Sequence, residues 1–190
     1  MSTPSAVDWE AMHAHYDRST YQAALDLLRF DDVVLDIGAG DLYFSEQMAQ
    51  TANKVYAIEV NESVLRQGIE SCRRLPGNLI PIHADARIFD FPTDVSVGML
   101  LMRHCTCFQL YFEKVRLAGA KRLITNARWR MSVEEIDLFA DRKSFHDLEL
   151  GWYACSCGAT GFKAGAAAQW RDEMNKVTYE VFDCPQCKQA

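Results

Sequence analysis

The apolar positions of this chain change their period several times, and each change marks a new element. Ser19 and Gln22 stand at capping-box spacing before YQAALDLL, which predicts a helix ending near Phe30, where Asp31 and Asp32 turn the chain. Val33 to Ile37 (VVLDI) is too short for a helix and reads as a strand; GAGD is a glycine turn, and LYFSEQMAQ resumes helical spacing. Lys54 to Val60, rich in β-branched and aromatic residues, predicts a second strand, and Asn61 caps the helical stretch ESVLRQGIESCRRL. After the break at Pro76, Gly77 and Asn78 come LIPIHA, Val95 to Leu101 and Arg122 to Ala127, the third, fourth and fifth strands. Strands alternating with helices of this length specify an α/β fold, a doubly wound and mostly parallel sheet with helices on both faces. Ser132 and Glu135 form another capping box, so a helix is expected through IDLFADRKSF. Past Gly151 the composition turns to Cys, Gly, aromatic and Ala, which divides the chain into a larger domain, 1–150, and a small module, 151–190.

In an open parallel sheet a ligand sits at the carboxyl ends of the strands, where the strand order reverses, so the loop after the first strand is the first place to look. That loop holds Asp36, Gly38, Ala39 and Gly40. Glu59 and Val60 end the second strand about 20 residues on, the spacing at which a carboxylate meets the two hydroxyls of a bound ribose. A dinucleotide fingerprint requires a third glycine where this chain has Tyr43, so pyrophosphate is disfavoured. Asp36 would repel a phosphate but suits a ligand carrying an ammonium group. S-adenosylmethionine has the ribose and the ammonium group and no phosphate.

VVLDIGAGDLYFSEQMA, followed by VYAIEV and then HADA, resembles the class I S-adenosylmethionine-dependent methyltransferases, with a partial likeness to the ribosomal RNA adenine methyltransferases in LDIGAG and VYAIEV. The resemblance runs from Ser19 to Trp129 and implies a Rossmann-like core. The family pattern of acid, x, Gly, x, Gly, x, Gly is matched by Asp36, Gly38 and Gly40, and Leu42 departs from it. The resemblance implies that Asp36 and the Gly38 to Gly40 backbone hold the methionine end, and that Glu59, with Val60 beside it, binds the ribose hydroxyls. It further implies that Asp85, with Ala86 beside it, accepts from the adenine amino group, and that the backbone from Leu101 to Arg103 faces the methyl group. Tyr16, on an N-terminal helical segment with His13 and His15, is placed by the resemblance over the cofactor, although a helix-face aromatic is more often core.

The acceptor is less legible. Methyl transfer is largely alignment of a nucleophile, so little side-chain chemistry is required. The Asn or Asp, Pro, Pro, aromatic motif of the adenine-amino methyltransferases is absent after the fourth strand, which reads LLMRHCTCF. Arg103 and His104 stand where a substrate would enter, with His104 a candidate general base or simply a packed loop residue. Cys105 and Cys107 read as buried, inert thiols. From Leu101 to Arg130 there are seven basic residues against Glu113 alone, a patch able to meet RNA phosphates or to form a solvated helix face.

Cys155 and Cys157 form CxC, Cys184 and Cys187 form CPxC, and 26 residues separate the pairs. Two close pairs of thiolates can close a tetrahedron around zinc, a pattern that looks like a zinc ribbon; disulfides or free thiols are the alternative. Four thiolates leave no open position, so the metal is expected to be structural. The stretch between the pairs is expected to form a hairpin with a short helix.

Composition adds limits. At 190 residues, 49% hydrophobic and 24% charged, the chain suits one core and a small appendage. A net charge of -6 argues against a protein coated in positive charge, no apolar run is long enough for a membrane span, and the first residues lack the pattern of an export signal. The expectation is a cytoplasmic methyltransferase with no membrane association, acting on RNA or protein rather than a small metabolite. A noncatalytic cofactor-binding or zinc-ribbon interaction protein is the alternative, and a nicotinamide dehydrogenase, opposed by Tyr43 and Asp36, stands further off. The sequence does not indicate an oligomeric state.

Overall fold

The computed structural model describes residues 15–103, 105–128, 132–166 and 170–187. Its main sheet has six strands: β1 Val33–Ile37, β2 Lys54–Glu59, β3 Leu79–His83, β4 Val97–Leu100, β5 Arg122–Thr125 and β6 Glu134–Asp137. The order is β3-β2-β1-β4-β5-β6; the first five are parallel and β6 runs antiparallel on β5. The order reverses between β1 and β4, which puts the ligand crevice of such a sheet at the carboxyl ends of those two strands.

Among the described residues four helices cover it: α1 Arg18–Leu25, α2 Tyr43–Met48, α3 Glu62–Ser71 and α4 Phe108–Leu117. Alternation along β1 explains the two faces. Val34 points into a core with Tyr21, Ala24, Met48, Val55 and Met99, whereas Leu35 and Ile37 point to the other side with Ile58, Leu100, Phe112 and Val115. Asn61 caps α3 by accepting from Ser63 and Val64 N–H, as expected. The cap of α1 is Asp17, which accepts from Thr20 N–H, so the helix starts two residues earlier than the Ser19 box predicts and stops at Leu25. His13 and the N-terminal half of the expected helical segment lie outside the described residues.

One expectation is overturned. The segment after Ser132 is not a helix but the edge strand β6. Ile136 and Leu138 are buried at alternate positions, and Glu134 and Glu135, the latter the acid of the capping-box match, pair with Arg128 and Arg122. Period 2 and two strong ion-pair partners outweigh a capping-box match.

A second, three-stranded sheet follows, β7 Gly151–Cys155, β8 Thr160–Lys163 and β9 Thr178–Val181, in the order β8-β7-β9. The hairpin expected between the two cysteine pairs does not form there: that stretch supplies β8, a 3-10 turn, Asp172–Lys176, and β9, and both strands pair with β7, which precedes it, rather than with each other. Tyr153, Cys155, Val181 and Cys184 pack there with Leu148 and Phe145, which precede the strands. No helix among the described residues is long and apolar enough to cross a membrane.

Candidate functional site

The loop after β1 is shaped by backbone. Gly38 and Gly40 both have positive φ, 79° and 58°, and Leu42 adopts 66° as well. The third glycine position of the motif therefore keeps the left-handed conformation although a leucine fills it, at a cost of about 1 kcal/mol offset by burial of its side chain. A Cβ on Gly38 would stand 3.1 Å from Met102 Cε, so the strand end of β4 closes over the loop; nothing lies within 4 Å of a Cβ on Gly40. From below, α3 comes so close that a Cβ on Gly68 would stand 2.3 Å from the Asp41 carbonyl oxygen.

Two carboxyls flank this ridge. Glu59 accepts from Gly40 N–H at 2.9 Å and Asn61 N–H at 2.7 Å, which leaves lone pairs free on both oxygens for hydroxyl donors. Asp36 lies beneath the loop, where the Ser45 hydroxyl donates to it at 2.6 Å. Burial, reinforced by the nearby Glu59, pushes the Asp36 carboxyl up to about 7. Two acids, exposed glycine backbone and no basic side chain among these groups suit a ligand with hydroxyls and a cation.

The other expected contacts are distributed around this point. Asp85 is held by Arg87, whose side chain and N–H bond it at 2.6–3.0 Å and hold its carboxyl down at about 2; Ala86 is buried behind it and Val60 is exposed at the end of β2. Tyr16 does cross the carboxyl edge. Its hydroxyl accepts from Arg103 N–H at 2.9 Å, the Arg103 guanidinium lies 4.8 Å from its ring centroid, and its neighbour His15 bonds Asp41 at 3.0 Å. Leu101 is half-buried beside them. His104 lies outside the described residues.

The sequence reading missed Asn126. It follows β5 at the same edge, is fully buried, and neither carboxamide atom has a hydrogen-bond partner. Thr125 braces this point by donating to Leu100 O at 2.7 Å and accepting from Ala127 N–H at 3.0 Å. Nothing in the local sequence marks the asparagine, because its isolation is a property of the packing.

Part of the basic stretch is turned inward. Arg122 is buried against Asp32 and Glu135, Arg128 against Glu134 and Glu180, and Arg116 pairs with Glu113. Lys114 donates to Phe89 O and lies over the Phe91 ring, and Arg103 is stacked on Tyr16. Most of the charge that the sequence counts there is neutralised or tied down, and Arg130 lies outside the described residues.

The four expected cysteines do come together. Their sulfurs all lie within 4.8 Å of one another, with Cys155–Cys187 at 3.5 Å and Cys157–Cys184 and Cys184–Cys187 at 3.7 Å. A disulfide needs about 2.05 Å. A tetrahedron with arms of about 2.3 Å has edges of about 3.8 Å, so the donor set fits a zinc-sized ion.

No family model and no curated protein matches the sequence. Among solved structures the chain is similar to a dimethyladenosine transferase from Plasmodium falciparum, with a TM-score of 0.53 and 18% identity over 60% of this chain and 42% of that one. It is similar to a precorrin-6y C5,15-methyltransferase from Geobacter metallireducens (TM-score 0.52, 18% identity, 60% and 64% covered) and to the 23S rRNA methyltransferase ErmE (0.51, 18%, 58% and 46%). The chain has the fold of the S-adenosylmethionine-dependent methyltransferases. It spans less than two thirds of the length of each of these three. In the methyltransferase fold described here, β1 to β5 carry the glycine ridge, Glu59, Asp85 and Asn126 along one carboxyl edge, and the four-cysteine sheet follows β6.

Proposed function

We propose that this chain transfers a methyl group from S-adenosylmethionine, and that its four-cysteine module holds one structural zinc ion. The observation that carries the reading is the glycine ridge with Asp36 beneath it and Glu59 beside it, at the carboxyl ends of β1 and β2 next to the reversal of strand order. The cofactor, when bound, supplies an electrophilic methyl group. Glu59 accepts the ribose hydroxyls on its free lone pairs, and the Gly38 to Gly40 backbone meets the methionine end above Asp36. Asp85 accepts from the adenine amino group in place of one of the four contacts that Arg87 makes to its two oxygens, with Val60 and Ala86 against the base. Tyr16 and Arg103 close the edge over β4 and exclude water. The acceptor lies over the ends of β4 and β5, where Asn126 offers one donor and one acceptor. RNA or protein is the acceptor class, and alignment rather than a dedicated base does the work. For RNA, the support is the fold alone, since Arg116, Arg122 and Arg128 are paired with acids of this chain.

Thermal unfolding of the zinc-loaded chain with S-adenosylhomocysteine, and separately with NAD, tests the cofactor. A ligand at 100 times its Kd adds about 2.7 kcal/mol, a shift of several degrees at this size. The shift is expected with S-adenosylhomocysteine alone and is expected to vanish in Glu59→Gln. Label transfer from methyl-tritiated cofactor into the RNA or protein fraction of a cell extract then reads the acceptor class, and binding without transfer would favour a noncatalytic role.

A further inference from the structure

Two of the contacts between the small sheet and the larger domain fall on segments that follow β4 and β5. The first is the turn after Cys157. Gly158 has φ +95°, and a Cβ there would stand 3.0 Å from three side-chain atoms of Phe108, so the turn lies flat on the first residue of α4. That helix begins just after the Leu101–Arg103 strand end. The second is Arg128, three residues past the end of β5. Its side chain is 1% exposed and is held from two directions. Nε donates to Glu134 of β6 at 2.9 Å, and Nη1 donates to Glu180 of β9 at 3.1 Å.

Nη1 also reaches the Cys155 carbonyl oxygen at 3.4 Å. The same oxygen accepts from Gly158 N–H at 2.9 Å, the bond that closes the turn bearing the first two cysteines. A buried cation gripped by acids of two sheets cannot shift by itself, because moving it strands one carboxylate without its partner. Cys155 carries both this carbonyl and one of the four clustered sulfurs, so a pull on the sulfurs acts on the residue that Arg128 reaches. Arg142 is no substitute: its Nε stands 3.6 Å from Glu180, and its other nitrogens are spent on carbonyls of residues 137–140.

We propose that Arg128 is a positioning residue that ties the state of the four-cysteine site to the segments after β4 and β5, so that metal loading sets the geometry of the acceptor side. What those segments do rests on the methyltransferase reading above; the link itself rests on the contacts just described. Fold and module are then one device, in which an emptied metal site loosens Ala127–Arg128 and the start of α4 while β1 to β3 keep their order.

Hydrogen exchange read by mass spectrometry on the full chain tests it, with samples of zinc-loaded wild type, chelator-treated wild type, zinc-loaded Arg128→Met and zinc-loaded Arg128→Lys. Chelation should speed exchange about tenfold in peptides covering 101–108 and 122–128, as well as in 151–187, and leave 54–59 and 79–83 unchanged. Arg128→Met should show the same acceleration at 101–108 and 122–128 while still holding zinc, and should release zinc to a chromogenic chelator faster than wild type. Arg128→Lys, which keeps the charge and loses the fork, should fall between. Acceleration confined to 151–187 on chelation, equal acceleration everywhere, or wild-type protection in zinc-loaded Arg128→Met each overturns the link. If Arg128→Met does not fold, the wild-type chelation arm and Arg128→Lys decide. S-adenosylhomocysteine shifts measured on the same samples keep the two readings apart: no shift in zinc-loaded wild type would remove the cofactor assignment and leave the exchange data to judge Arg128.

Discussion

Asp36 is a carboxyl whose protonation the fold itself has altered, and Asp36→Asn isolates the consequence. Buried beneath the glycine loop and facing Glu59, its carboxyl rises from an ordinary 3.8 to about 7. The unfolded chain ionises this group near 3.8, so between there and about 7 the native state holds a proton that the unfolded state has lost. Stability from this group is therefore complete below about pH 4 and is lost as pH rises through 7. Three pH units at about 1.36 kcal/mol each make the total loss roughly 4 kcal/mol, of which roughly 2 kcal/mol falls between pH 5.5 and 8. Asparagine has nearly the same shape, keeps an oxygen for the Ser45 hydroxyl and cannot ionise. In urea unfolding of both zinc-loaded proteins, the stability of Asp36→Asn relative to wild type should grow by roughly 2 kcal/mol from pH 5.5 to 8, about 1 M in midpoint. Taking the difference between the proteins cancels the pH response of the four thiolates. Parallel pH profiles would refute the reasoning and mean that water or a loop movement solvates Asp36. A bound ammonium group should favour the ionised form, so wild-type affinity for S-adenosylhomocysteine should rise with pH through 7 and binding should release a proton. Titration calorimetry in buffers of different ionisation enthalpy should detect that proton in wild type and not in Asp36→Asn.

Metal analysis of the full chain should find about one zinc per chain, and a chelator should abolish the near-ultraviolet signal of the aromatic residues in the small sheet. Gly68→Ala should lose roughly 1–3 kcal/mol in denaturant unfolding and weaken S-adenosylhomocysteine binding, because the added methyl meets the Asp41 carbonyl and lifts α3 from the glycine loop. Leu42→Gly should relieve about 1 kcal/mol of backbone strain yet lose roughly 2–5 kcal/mol of buried side chain, so a net loss of stability is expected; a gain would show that the leucine packs poorly.

β1, β2 and β5 were legible because each is a short, largely apolar run with Gly or Asn just beyond it, and their burial follows that pattern. β6 was not, because Ser132 and Glu135 match a capping box, and Arg128 and Arg122 are set beside Glu134 and Glu135 only by the sheet. The same holds for the basic stretch: the sequence counts charges, whereas folding decides which of them face an acid. The cysteine site was readable from spacing because each pair is local. Asn126 and Arg128 were not, since Asn126 is defined by having no partner and Arg128 by an acid 52 residues away. Leu42 is an intermediate case, in which the backbone keeps the glycine conformation and only the letter differs.

The shared grip on Arg128 bears on how such a chain can be divided. Cutting after residue 150 removes Glu180 and the Cys155 carbonyl, leaves a buried guanidinium with Glu134 alone, and bares the Phe108 ring that Gly158 covers. Neither half is then a transplantable part: the larger one inherits an unbalanced charge and an apolar scar, and the smaller one loses the cation opposite Glu180. A fusion that borrows the four-cysteine sheet would need to bring an arginine in the same place, and a shortened chain would need Arg128 replaced by an uncharged residue.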